Sequence, residues 1–293
     1  MYGPGHVLFS FADPRIAESS GLVASTRFDL LFTHNDSGDS ARFFAVDRAG
    51  RTRATYLLRG VQARDWEDIS RGPGGTLWLG DIGDNKGIRD RGLLVHRVAE
   101  PDGRASGTVS ATSYRLRYED RPRDAEALIV SGGQVLVVEK TLGSRAGVYA
   151  TTAVLRSDAV NVLHRVAEVP VPTVTAGDLS PDGRKVVLRN YTAAYEWDVP
   201  GSDVVAAFAT EPDRIELPRD PQGEGIAYGR DGRSLLTSSE GRGAQVHELD
   251  AAADIAPSAA PEPRDRGGVG WRLPVLVGAL ALLGALVAGL VRR

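Results

Sequence analysis

Two acid-rich phrases stand almost side by side in the chain, Arg64-Asp-Trp-Glu-Asp-Ile-Ser70 and Thr76-Leu-Trp-Leu-Gly-Asp-Ile-Gly-Asp-Asn85. In both, carboxylates abut a short apolar run, so a strand that packs in a core delivers its acids to one end. Near-copies begin at Glu18-Ser-Ser-Gly-Leu22, Asp124-Ala-Glu-Ala-Leu128, Ala176-Gly-Asp-Leu179 and Gly223-Glu-Gly-Ile226. Carboxylates crowded in a low-dielectric funnel repel one another, so they must take up protons, pair with a cation or bind a metal. Oxygen-only ligands suit a hard divalent ion, Ca²⁺ or alternatively Mg²⁺, and disfavour zinc and copper.

The elements that must position these acids follow from the repeat. The equivalent apolar residues Leu22, Ile69, Leu128, Leu179 and Ile226 are spaced as four-stranded propeller blades are, at roughly 40 to 50 residues. The one long interval, Ile69 to Leu128, is expected to hold extra loop at 86–91 and 100–108. A β-sandwich would not restart five times on the same phrase. The fifth unit lacks an outer strand, and His6 to Phe11 is a strand with no neighbour in sequence. Letting that strand complete the last blade closes the ring and removes exposed sheet edges. The expectation is an all-β, five-bladed β-propeller over residues 6–250. A six-bladed ring is the alternative and needs a further repeat.

In such a blade the first strand lines the channel and the second returns beside it. The start of the first and the end of the second therefore share a face, which becomes an acidic mouth. Candidate ligand-binding residues there are Glu18, Glu67, Asp68, Glu126, Asp178 and Glu224 at strand entrances, with Glu139, Lys140 and Glu240 at exits. The two richest exit loops supply the candidate metal set, Asn35, Asp36, Asp39, Asp81, Asp84 and Asn85. Asp182 and Asp231 lie in Pro-Asp-Gly and Arg-Asp-Gly hairpins at the other face and read as turn formers. Of five histidines only His34 falls at the mouth, as a hydrogen-bonding partner. Lys140, Arg189 and Arg242 offer a purely structural balance of the acids by internal ion pairs.

Other chemistries lack their residues. There is no cysteine, no Gly-x-Ser-x-Gly elbow and no glycine loop opening a helix to cradle phosphate. Catalysis here would need metal-activated water with Glu67 or Glu139 as general base. A formal net charge of -3 gives no basic field for nucleic acid.

The ends differ from the middle. Residues 251–270 carry Pro257, Pro261 and Pro263 among Ala, Gly and charges and read as a disordered stalk. Within 271–293, the stretch Leu273 to Val291 is free of charge, and at ~1.5 Å per residue it matches a bilayer core. A single transmembrane helix with a basic end is expected, anchoring the propeller to the cell membrane. The N-terminus shows no signal peptide.

The phrases Glu18-Ser-Ser-Gly-Leu, Asn35-Asp-Ser-Gly, Asp65-Trp-Glu-Asp-Ile, Asp81-Ile-Gly-Asp-Asn, Asp124-Ala-Glu-Ala-Leu and Gln222-Gly-Glu-Gly-Ile resemble the blades of bacterial exported propellers. These are described as WD-repeat-like or as resembling the esterase-like phytase group. The resemblance implies an extracytoplasmic, calcium-binding propeller at the cell surface and allows phosphoester hydrolysis for some relatives. Five units and a membrane tail depart from that pattern. The reading favoured by the residues is a membrane-anchored binding module for a cationic, metal or surface ligand. The alternative is a metal-dependent phosphoesterase or lactonase at the same mouth.

Overall fold

The computed structural model describes residues 2–89, 92–152 and 154–252. Strand β1 (His6–Ser10) precedes the first full unit, β2 (Ser19–Ala24), β3 (Leu31–Asn35), β4 (Arg42–Val46) and β5 (Thr52–Leu58). The second unit has β6 (Trp66–Gly72), β7 (Thr76–Asp81), β8 (Leu93–Ala99), a short β9 (Gly107–Val109) in the link, and β10 (Thr112–Tyr118). The third has β11 (Ala125–Ser131), β12 (Gln134–Glu139), β13 (Ala146–Thr151) and β14 (Val160–Val169). In the fourth, β15 (Ala176–Leu179), β16 (Lys185–Arg189) and β17 (Ala193–Asp198) lead through helix α1 (Val204–Ala207) to β18 (Asp213–Glu216). The fifth holds β19 (Gly223–Tyr228), β20 (Ser234–Ser239) and β21 (Gln245–Asp250). Its outer strand is β1, paired antiparallel with β21.

These units form the ring of a β-propeller. The innermost strands β2, β6, β11, β15 and β19 are successive neighbours, and β19 returns to β2. Each junction between units is an apolar cluster. Phe32, Phe43, Trp66 and Leu79 join the first to the second, and Trp78, Tyr114, Val137 and Tyr149 join the second to the third. The series continues with Ile129, Val138, Leu188 and Trp197, then Val187, Ile226 and Tyr228. Phe9, Leu22, Phe44 and Leu236 close it. The inner strands are buried along nearly their whole length, polar residues such as Ser20, Glu67, Asp68 and Ser70 included.

Buried carboxylates hold the axis. Asp68 Oδ2 accepts the N–H of Leu128 at 2.9 Å and of Gly177 at 3.2 Å, while its Oδ1 accepts that of Ile69 at 2.8 Å. One side chain of the second unit thus ties the third and fourth. Asp178 repeats the device, taking the N–H of Tyr228 and the guanidinium of Arg71. Glycine permits the close approach this requires: a Cβ on Gly21 would lie 2.6 Å from the backbone nitrogen of Ile69.

Three features depart from a plain four-stranded blade. In the fourth unit Asp203 caps a helical turn at Val204–Ala207 by accepting the Ala206 N–H. Phe208 then packs edge-on against Trp197, and the outer strand forms later as β18. The interval 100–108, expected as loop, contributes to β9, which pairs parallel with β5 of the first unit. β10 and β14, the outer strands of adjacent units, also pair in parallel, merging the second and third units into one eight-stranded sheet. Both pairings cover outer edges that would otherwise be open to association.

Of the expected stalk, only Ala251 and Ala252 are described, and Ala251 bridges to Tyr2. The rest of it and the expected transmembrane helix lie outside the described residues. Among the described residues no helix is long and apolar enough to cross a membrane.

Asp68→Ala leaves three buried N–H groups without an acceptor. At about 1–3 kcal/mol for each unsatisfied group, a loss of at least about 3 kcal/mol is expected in urea unfolding of the propeller. A change below 1 kcal/mol would contradict the tie.

Candidate metal centre at the acidic mouth

The strand register brings entrances and exits together. Ser19 pairs with Asn35, Trp66 with Asp81, Ala125 with Glu139, Ala176 with Arg189 and Gly223 with Ser239. The start of every inner strand therefore lies beside the end of its neighbour, at one face of the ring.

A local irregularity then selects which acids enter the mouth. On β6 the ladder skips between Trp66 and Asp68, leaving Glu67 as the extra residue of a β-bulge. The same skip leaves Glu126 out between Ala125 and Ala127, and it recurs between Gly223 and Ile226, around Glu224. A bulge bends the strand and re-aims the side chain it leaves unpaired. In the fourth unit the register is regular and Gly177 holds the corresponding place.

Two carboxylate triads meet at Glu67. Ligand oxygens of Asp36, Asp65 and Glu67 lie within 4.8 Å of one another, as do those of Glu67, Asp124 and Glu126. Oxygens sharing one Ca²⁺ at roughly 2.3–2.6 Å fall within such a separation. Gly83 completes the cradle from the exit loop of β7. A Cβ there would sit 2.1 Å from Glu67 Oε1 and 2.6 Å from Asp65 Oδ2, so only glycine leaves the room. The donor set is all oxygen and fits a hard divalent ion.

Electrostatics match the crowding. Burial, reinforced by Glu126 and Asp36, pushes the Glu67 carboxyl well above the usual range. Burial raises Glu126 to about 7, against the pull of Lys140. Asp65 is raised to about 6 by burial and by Asp36 and Asp124, and Glu224 to about 8 by burial and Glu126. Asp124 and Glu240 are raised by burial as well. Lys140 is the local counter-charge. Its Nζ lies 2.8 Å from Glu126 Oε1 and 5.5 Å from the centre of the Tyr191 ring. Burial opposes its charge, but Glu126 outweighs that and holds the ammonium above its ordinary value.

Most of the metal set expected from the sequence is engaged elsewhere. Asn35 ties its loop to the segment that leads into β2, accepting the N–H groups of Ala17 and Glu18 and donating to Asp39, which also pairs with Arg42. Asp81 forms a buried ion pair with Arg89 at 2.8 Å and accepts the N–H of Arg64 and Asp65. Asp84 caps the turn at Ile88 and Arg89, and Asn85 is exposed. Of that set only Asp36 joins the triads. Among the ligand candidates, Asp68 and Asp178 serve the axis, Glu18 is exposed, and Glu240 is half-buried at the rim. Glu139 accepts the Gly147 N–H and pairs with Arg123, so it is held away from the triads. His34 is wholly buried edge-on to Trp66, and burial lowers its pKa. Asp65 and Asp124, each two residues before a bulge glutamate, complete the triads, and that spacing is the signal for them in the sequence.

No family model matches the sequence, and no curated protein matches it. Solved structures share the architecture. A PQQ-bound aldose sugar dehydrogenase from Streptomyces coelicolor is 11% identical with a TM-score of 0.50, over 84% of this chain and 97% of that one. A glutaminyl cyclase from Myxococcus xanthus is 12% identical with a TM-score of 0.51, over 85% and 99%. A gluconolactonase from Xanthomonas campestris reaches 0.49 at 12% identity, over 84% and 89%. At these identities the likeness is one of fold. It supports the propeller that the motifs implied, and not a WD-repeat or phytase identity.

The raised carboxyls have a consequence for stability. Each titrates higher in the folded chain than unfolded, where Asp and Glu lie near about 4. The contribution of Asp65, Glu126 and Glu224 is fully present below that value and is lost as pH rises through about 6 to 8. In chelator, Tm is expected to fall between about pH 5.5 and 8.5, with millimolar Ca²⁺ recovering it at the alkaline end. A flat profile would contradict the crowding.

Proposed function

We propose that this protein is a metal-dependent hydrolase whose active centre is the mouth of a five-bladed propeller, acting on an ester, lactone or phosphoester. The observation that carries the reading is Glu67, a buried carboxylate common to both triads and held there by a bulge. A divalent ion, Ca²⁺ or Mg²⁺, would be held by Asp36, Asp65, Glu67, Asp124 and Glu126. Bound there, such an ion supplies Lewis-acid polarisation of a carbonyl or phosphoryl oxygen and a more acidic water.

The chain's own residues supply the rest. Glu67 would hold the ion through one carboxylate oxygen and leave the other beside the attacking water to accept its proton. Lys140 fixes Glu126 through their 2.8 Å bond and places a permanent positive charge beside it. The glutamate bulges sit on packed inner strands rather than on loops, which holds the carboxylates in place. The likeness in fold to a sugar dehydrogenase and a glutaminyl cyclase supports an enzyme by analogy of scaffold alone.

The binding-module reading keeps one observation in its favour, the Lys140–Glu126 pair, which already offsets one acid without a metal. Two measurements separate the readings. Calorimetric titration of the soluble domain with Ca²⁺ and Mg²⁺ is expected to give heat in the parent that Glu67→Gln and Asp36→Ala weaken by at least about tenfold. Turnover of nitrophenyl phosphate, carboxylic esters and lactones is expected to require the ion and to fall about 10²-fold or more in Glu67→Gln. Binding without any turnover would leave the module, and no heat at all would remove the metal.

We also propose that residues 273–291 tether the propeller to the cell membrane on its outer side. Support comes from the uncharged length of that stretch and from the resemblance to exported propellers. Protease added to intact cells should cleave the propeller, and its protection would place the domain inside.

A further inference from the structure

The two triads share Glu67 yet remain two groups. Asp36, Asp65 and Glu67 bring one set of oxygens together and Glu67, Asp124 and Glu126 another, but the five residues do not gather into a single set within 4.8 Å. Two oxygens bound to one Ca²⁺ at roughly 2.3–2.6 Å can stand no farther apart than about 5 Å. One ion therefore satisfies one triad and leaves the outer carboxylates of the other unserved.

Glu67 points to a cation independently of the count of acids around it. The residue is only 3% exposed, and no donor or basic group among the described residues bonds to its carboxylate. Neither of its oxygens is among the sealed polar atoms, so both still open to the mouth. A buried carboxylate persists where it is paired or coordinates a metal, and no pair is offered here.

The triads differ in what already balances them. Lys140 Nζ lies 2.8 Å from Glu126 Oε1, and Asp124 Oδ1 accepts the Asp84 N–H at 2.7 Å. Asp36 and Asp65 have no ion-pair partner among the described residues. Counted as ions, the five triad carboxylates and the Lys140 ammonium leave four negative charges. Two divalent cations cancel these, whereas one leaves half of them.

We propose that the mouth holds two divalent cations with Glu67 between them. The tight site is formed with Asp36 and Asp65, and the weaker one with Asp124 and Glu126, where an arriving ion competes with Lys140. This rests on the metal-dependent reading of the mouth and adds a second ion to it. One Glu67 oxygen shared by the two ions leaves the other for the proton of the attacking water. A second ion supplies a hold on the departing oxygen beside the hold on the nucleophile.

The test uses the full chain stripped with chelator and Ca²⁺ alone as probe. Equilibrium dialysis counts the ions bound per chain, calorimetry resolves the steps, and circular dichroism in chelator confirms that each variant is folded. The parent is expected to bind two Ca²⁺ in steps at least about tenfold apart in affinity, since affinity follows the charge of the ligand set. Asp36→Asn and Asp65→Asn, two independent changes to one triad, should each abolish the tight step and keep one ion on the other triad. Asp124→Asn retains an acceptor for the Asp84 N–H and should lose the weak step alone. Glu67→Gln should weaken both steps by about tenfold or more. Lys140→Met removes the competing ammonium and should tighten the weak step about tenfold while leaving the tight one within about threefold. A purely structural role for Lys140 would not move one step without the other. One ion per chain in the parent, or loss of both steps in folded Asp124→Asn, would overturn the second site, and ion-dependent ester or phosphoester turnover by the same preparation would leave the hydrolase reading standing. A parent that binds no Ca²⁺ would overturn both.

Discussion

The innermost strand of each propeller blade has a neighbour on one side only. Its other edge faces the axis, where backbone N–H groups must find acceptors away from bulk water. Here the acceptors are carboxylates. Asp68 reaches from the second unit to the N–H groups of Leu128 and Gly177, and Asp178 reaches from the fourth to that of Tyr228. Arg189 works in the opposite sense, with its wholly buried guanidinium donating to the carbonyls of Gly225, Ser238 and Asn190. Ser20 adds a bond to the Glu67 carbonyl. The ring is thereby cross-braced through its centre as well as packed at its junctions.

Filling the axis determines where a ligand can be met. Arg71 binds Asp178 and the carbonyl oxygens of Ala24 and Leu179 toward the hairpin face. Polar capacity that is not consumed in these ties gathers at the opposite end, where the bulges turn Glu67, Glu126 and Glu224 off the ladder. That arrangement is costly without a counter-ion, as the raised carboxyls show. Lys140 offsets Glu126, as Arg89 offsets Asp81. Strain held at a site and stability held elsewhere is a common division in proteins with a functional centre.

The architecture was largely legible. The recurring phrase from Glu18 to Ile226 marks the inner strands, and the missing outer strand of the last unit is supplied by His6–Ser10 as the count required. Less legible were the lateral pairings β5–β9 and β10–β14, because strands distant in sequence choose partners by where the ring places them. At the mouth, Asn35, Asp39, Asp81 and Asp84 looked like ligands by composition. Asp39, Asp81 and Asp84 instead meet a backbone N–H or an arginine of their own loops, and Asn35 meets the N–H groups of the segment that leads into β2.

Adjacent residues make the division plain. In Asp65-Trp-Glu-Asp-Ile, apolar spacing alone determined a buried strand with acids at its entrance, and repetition determined that five such entrances share one face. Asp68 became a brace and Glu67 the meeting point of two triads because a one-residue bulge turns neighbouring side chains to different environments. A bulge depends on how the partner strand is held, and that is settled by packing across the ring rather than by the local order of residues.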